Sequence, residues 1–159
     1  MKRNIYLDFS YLLVLGMSLG AVLVLGAVVA PVVFHSDRYV VDMFIDHYNM
    51  GMIMGEIFRR FAYWAYFLAA YIAFYEAYMY KSGQRDATVF AAAATALFSA
   101  LMFAAIYVPK ILLMQSMGKE ATQSDTFANI HVASEIDFKL LAIALLVLFI
   151  RRLMLLRID

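Results

Sequence analysis

All three histidines of the chain, His35, His47 and His131, lie near carboxylates or methionines in sequence. Imidazole in such company can ligate a metal, carry a proton or hold a cofactor. The densest stretch is Phe127-Ala-Asn-Ile-His131-Val-Ala-Ser134-Glu135-Ile-Asp137-Phe-Lys139. On a helix His131, Glu135 and Lys139 are spaced by four and share an arc of about 80°, with Ser134 and Asp137 to the other side. His131 and Glu135 can ligate one ion, and His35, His47 or Glu56 can complete its shell. Met43, His47, Met50 and Met54 follow at steps of four, three and four, one stripe if a helix continues through Gly51; Met52, Met114 and Met117 are expected on the same side. Thioether with imidazole is a soft donor set that favours Cu(I). The alternative is haem held axially by His35 and His131. Against both stands the plain reading that methionine fills gaps in apolar cores and interfacial charges pair to fix helix register.

The elements that must position these groups follow from composition. The chain has 159 residues, 65% of them hydrophobic, and a mean hydropathy of +0.78, whereas soluble domains run about 45 to 50% apolar. This is the composition of a small membrane protein. A net charge of +1 without a basic patch excludes nucleic acid as a partner. The absence of cysteine excludes disulfides, thiolate zinc sites, iron–sulfur clusters and thiol catalysis. Nor is there a nucleophile-plus-base pattern, a phosphate loop or a zinc-protease motif, which argues against an ordinary hydrolase.

A spanning helix needs about 20 apolar residues, and four stretches qualify, giving an all-α, four-span bundle in one domain. The first covers about 9–33. Its uncharged run, Phe9 to Phe34, is longer than a signal-peptide core, and Pro31 after Ala30 disfavours cleavage, so a retained span is expected. It carries Gly16-x3-Gly20 and Gly26-x3-Ala30, small-residue patterns that let a second backbone approach, including that of a partner subunit or a second copy. Residues 36–51 read as a short interfacial amphipathic helix, with Val40, Phe44 and Tyr48 opposite Asp42, Asp46 and Asn49, Ser36 as N-cap and Gly51 as stop. The second span, 57–80, holds eleven aromatic residues from Phe58 to Tyr80. At its start Glu56 can pair with Arg60, Arg59 is free for another helix, and Glu76 falls at the opposite membrane surface. The third, 87–108, repeats Ala92, Ala96, Ala100 and Ala104, a smooth stripe suited to the aromatic second helix, and Pro109 ends or kinks it. The fourth covers 130–150 and ends in Arg151-Arg152.

Lys2, Arg3, Lys81, Arg85, Arg151, Arg152 and Arg157 fall on one side of this arrangement, and Arg38, Arg59, Arg60, Lys110, Lys119 and Lys139, mixed with eight acids, on the other; that mixing, more than the count, places both termini in the cytoplasm and the chain in the inner membrane. The histidines, Glu56, Arg59, Arg60, Glu135, Asp137 and Lys139 fall on the other side. Charge facing lipid at depth costs about 2.5 to 3.5 kcal/mol per residue, so the His131, Glu135, Lys139 face is expected to point inward, with Arg59 or Arg60 as partner of Glu135 or Asp137. The result is an outward-opening polar pocket built by spans one, two and four and the loop helix.

Three short motifs carry a resemblance: Ala30-Pro31-Val-Val-Phe34, Gly51-Met-Ile-Met-Gly55-Glu56-Ile-Phe58-Arg59-Arg60, and Phe127-x3-His131-x2-Ser134. In order along nearly the whole chain, they resemble the four-span family known as domain of unknown function 4149, similar to transmembrane protein 205. The resemblance implies a four-helix membrane protein, more distantly similar to copper-resistance D-type membrane proteins and HemJ-type membrane oxidases. It carries no settled activity and no catalytic residue, and Glu135, Asp137 and Lys139 lie outside its pattern. The function expected from the residues is binding or moving a small ligand, with copper favoured. Haem or porphyrin chemistry is the alternative, and an accessory role in a membrane complex a third.

Overall fold

The computed structural model describes residues 5–40 and 46–158. Lys2, Arg3 and the segment 41–45, with Asp42, Met43 and Phe44 of the expected loop helix, lie outside the described residues. All regular structure described is helical, in four long segments. We label them α1 (Ile5–Phe34), α2 (His47–Lys81), α3 (Ala87–Ser116) and α4 (Asp125–Ile158). A single helical turn, Lys119–Thr122, lies between the last two.

The chain's own side chains mark the helix starts. Asp46 Oδ1 accepts the backbone N–H of Asn49 at 3.0 Å, Asp86 Oδ1 that of Val89 at 2.9 Å, and Ser124 Oγ that of Phe127 at 3.2 Å, each meeting a donor that an isolated helix start leaves unmet. After α2 the chain turns through Gly83 at φ +92°, a conformation that favours glycine.

Both prolines lie inside helices that continue past them. A π-helical turn precedes each, Leu25–Val29 before Pro31 and Phe103–Tyr107 before Pro109. Proline supplies no N–H and its ring crowds the carbonyl four residues back, and the wider turn accommodates both losses. Pro109 therefore does not end α3, which runs on to Ser116.

Gly51 is likewise no stop, since α2 passes straight through it from Asp46 to Lys81. The reason is tertiary. Gln115 of α3 packs where a β-carbon at Gly55 would have to sit, and its Nε2 donates to Gly51 O at 2.8 Å. Ser36 does not cap a helix either; its Oγ donates back to Val33 O, in a short 3-10 turn, Ser36–Arg38.

Successive long helices run in opposite directions. α3 packs along both neighbours, most extensively along α4, and Ala92, Ala96, Ala100 and Ala104 are all buried in that packing. The stripe expected to meet the aromatic second helix thus serves the fourth as well. On α4 the buried residues are Ser134, Asp137, Phe138, Leu141, Ala144, Leu145, Leu148 and Arg152, a helical stripe. A β-carbon on Gly16 would touch Phe149 of α4 at 3.6 Å, so this glycine serves packing within the chain, whereas Gly20 faces open space.

The outer faces are also apolar. Phe9, Leu13, Phe74, Phe90, Phe98, Ile136 and Ile143 are each more than half exposed, a quantity of bare hydrocarbon that soluble monomers do not carry. Two helices, α1 and α3, are long and apolar enough to cross a membrane, with mean hydropathies of 2.6 and 2.2 over their best stretches. In α2 the tyrosines lower the average, and in α4 charges stand at both ends.

At the end of the molecule holding the start of α1 and the ends of α2 and α4, the helices are joined by a buried polar network. Arg152 donates through Nε to Glu76 Oε1 at 3.0 Å and through Nη2 to Glu76 Oε2, and it reaches Gln84 Oε1 at 3.2 Å. Tyr11 donates to Glu76 at 2.8 Å, Tyr75 donates to Asp8 at 2.5 Å, and the two rings stack 3.7 Å apart. Glu76 is therefore not at a free surface: its side chain is 17% exposed and that of Arg152 6%. Removing one member of a buried pair leaves the other charge unmet, at a cost of about 3 to 5 kcal/mol. Arg152→Ala is accordingly expected to lower the thermal midpoint in detergent sharply, and the double replacement Glu76→Gln with Arg152→Met to recover much of the loss.

Candidate functional site

At the opposite end the four helices diverge around a cavity of about 510 Å³. α1 contributes Phe34, α2 the face from His47 to Phe58, α3 the face from Phe103 to Gln115, and α4 the face from Phe127 to Ser134. The walls are mostly apolar. Met54, Phe103 and Val108 are buried there, and Phe58, Phe61, Phe103 and Phe138 pack beside them with ring centroids 4.9 to 5.9 Å apart. Gln115 and Ser134 supply buried polar groups, and Gln115 Oε1 accepts no hydrogen bond. The more exposed rim carries Asp46, His47, Lys119, Thr122, Gln123 and His131.

The rim is held by paired groups. Lys119 donates to Asp46 Oδ2 and lies 5.8 Å from the Tyr48 ring centroid, while Tyr48 donates to Gln115 O at 2.7 Å. The start of α2 is thereby tied to the end of α3. The Lys119 ammonium, with the Asn49 N–H, holds the Asp46 carboxyl below its usual range.

The cavity gathers some of the expected site and scatters the rest. His47, His131, Met54 and Ser134 all line it. His131 Nε2 and Glu135 Oε1 are 3.3 Å apart, and Lys139 Nζ lies 3.6 Å from Glu135 Oε2. Only His131 of this ladder faces the cavity as expected; Glu135 is 52% and Lys139 74% exposed, because the Ser134, Asp137, Phe138 stripe occupies the packed face of α4. Arg59 and Arg60 both pair with Glu56, at 2.6 and 2.8 Å, so neither reaches α4. Asp137, buried, faces Ser99 of α3 instead.

His35 is exposed, with Nδ1 2.9 Å from Pro31 O, and the His47 ring packs 5.3 Å from that of Phe34. Met50 and Met54 are buried, whereas Met52 and Met117 are exposed; the start of α2 and the end of α3 do share the cavity end as expected, but of these methionines Met54 alone is a lining residue. Among the described residues no three His, Asp or Glu side chains come together as a metal site.

Tyr48, Gln115 and Lys119 are the site residues that sequence reasoning missed, together with the entire contribution of α3. A usable signal was present in Gln115, the one amide between Ile111 and Ser116 of an otherwise apolar helix end.

A pH dependence follows from the rim. Asp46 is depressed in the folded state, so its contribution is fully present above the ordinary aspartate value near about 4 and is lost as pH falls through the depressed one. Wild type is expected to be more thermostable than Asp46→Asn at neutral pH, with the difference closing in acid.

Residues 13–120, about two thirds of the chain, match the family model described as "Domain of unknown function (DUF4149)". The matched span covers most of α1, all of α2 and α3, and the Asp46 to Lys119 tie; it ends before His131. No curated protein and no solved structure matches the chain.

Proposed function

The chain belongs to the DUF4149 family, and from that premise we propose that it is a multi-pass inner-membrane protein that binds or moves a small amphipathic molecule in the cavity between its four long helices. The observation that carries this reading is the cavity itself, apolar in its walls and polar at its rim, set among helices whose outer faces are bare hydrocarbon. Its volume lies within the roughly 300 to 1,000 Å³ typical of small-molecule sites. In this reading all four segments cross the bilayer. The Lys and Arg distribution puts the termini and the Arg152 network in the cytoplasm, so the cavity opens outward. The finer kinship, to transmembrane-protein-205-like chains and more distantly to copper-resistance D-type and HemJ-type proteins, is part of this proposal and rests on the three motifs.

A copper ion is the second reading, favoured by one observation, that His47, His131 and Met54 line the same cavity. A metal there would be completed by the ligand or by water, since Glu135 and Lys139 face away. Haem would use the same cavity with His47 and His131, not the His35 and His131 pair.

The absence of native cysteine makes topology testable by single-cysteine labelling. With a membrane-impermeant maleimide, Gln123→Cys is expected to label in intact cells and Lys81→Cys only after permeabilisation. Equal labelling of both before permeabilisation, or the reverse order, overturns the arrangement. For the ligand, wild type and Ala128→Trp, which fills the cavity mouth, are purified and compared for bound organic molecules by mass spectrometry and for copper after loading with Cu(I). We expect near-stoichiometric organic ligand in the wild type, lost in the variant with helicity retained. Copper bound instead, and lost in His131→Ala, selects the second reading; equal contents in all three proteins reject both.

A further inference from the structure

One turn below Ser134, farther into α4, lies a group that the cavity does not use. Asp137 is 8% exposed, about 10 Å along the helix from Ile130 at 1.5 Å per residue. Its carboxyl faces the hydroxyl of Ser99 on α3, itself fully buried; the two groups are near enough to interact, yet neither Asp137 Oδ2 nor Ser99 Oγ makes a well-formed hydrogen bond. With Gln115 Oε1, these are the only buried side-chain polar atoms among the described residues left without a partner. The three belong to the cavity and to the layer directly beneath it.

No cation is placed to neutralise a carboxylate there. α3 has no titratable side chain between Ala87 and Ile106, and α1 none between Leu12 and Phe34. On α2, Phe58 and Phe61 pack against Phe138, Tyr63 and Tyr66 are exposed, and Arg59 and Arg60 are taken by Glu56. On α4 itself, Lys139 pairs with Glu135 on the exposed arc, and His131, at the cavity rim nearly two turns before Asp137, also pairs with Glu135. An ionised carboxylate without partner inside a packed helix bundle is expensive. Two oxygens are also too few for a hard metal ion, which takes six or more. A carboxylic acid fits: its O–H can donate to Ser99 Oγ, and its carbonyl oxygen can accept.

We propose that Asp137 and Ser99 form a proton-binding site at the base of the cavity, where Asp137 holds a proton as a neutral acid and exchanges it, past Ser134, with water in the cavity. Releasing the proton leaves the carboxylate and a hydronium in that water; uptake reverses the step. From the reading above this takes only that α4 crosses the membrane, which the labelling experiment tests separately, and it needs no ligand in the cavity.

Infrared difference spectra decide it, with the full chain in nanodiscs of phosphatidylcholine and phosphatidylglycerol. At neutral pH the wild type minus Asp137→Asn spectrum is expected to contain one carboxylic-acid C=O band. That band should shift in Ser99→Ala, shift again on exchange into D2O, and give way to a carboxylate band as pH is raised. A carboxylate band already present at neutral pH overturns the proposal. So does an acid band that neither exchanges in D2O nor titrates, since that describes a sealed structural acid. Should Asp137→Asn fail to fold, wild type minus Ser99→Ala reads the same shift as a paired feature, and its absence counts against the site.

Discussion

The Glu76 to Arg152 ion pair, with the stacked Tyr11 and Tyr75 and the Asp8 carboxylate around it, is the constraint on which the rest of the packing depends. In a helix set whose outside is as apolar as its inside, burial of hydrocarbon does little to choose which faces meet. A buried charge does choose, because every alternative rotation of α2 or α4 strands Glu76 or Arg152 without its partner. Tyr11 brings α1 into the same arrangement through its bond to Glu76. Asp86 and Arg151, joined at 2.7 Å, do so for the start of α3. All four helices are thus registered from one end.

With register set there, the other end is free to differ. Smooth alanines bring α3 close to α4, whereas Phe58, Phe61, Phe103 and Phe138 are too bulky to let the helices close fully above them. The space that remains is the cavity. Gly55 then determines its shape: by carrying no β-carbon it admits Gln115, whose amide locks α3 to α2 at Gly51 O and whose carbonyl oxygen is left available. The Asp46 to Lys119 bridge closes the rim over this contact. Helix-helix packing and site geometry are here one feature, since the same small residues that permit close approach also decide which polar atoms remain unpartnered.

Much of this was legible in the chain. The four apolar stretches, the small-residue stripe of α3 and the placing of His47 and His131 at one end all follow from local composition and period. The partners of the charges were not legible. Glu56, three residues before Arg59 and four before Arg60, takes both, which removes the expected bridge to α4. His131, Glu135 and Lys139 share one arc, yet only His131 turns to the cavity, because Glu135 meets His131 and Lys139 at the surface and the two outer charges need no partner inside. Gly51 reads as a helix stop in the sequence, whereas in the fold α2 runs through it and Gln115 donates to its carbonyl.

By itself the sequence determined the class of object: an all-helical chain, apolar enough for a bilayer, with its ionisable groups confined near the helix ends. Hydrophobic length and helical period are properties of a single segment and need no partner to be read. Only the tertiary structure decided which ends meet, that Glu76 and Arg152 are buried together, that α3 completes the cavity, and that Asp137 faces a lone serine. Each of these is a relation between residues 38 to 76 positions apart, on helices that the sequence leaves free to rotate about their own axes. Rotation about a helix axis leaves the local sequence pattern unchanged, and only packing against neighbours selects one angle.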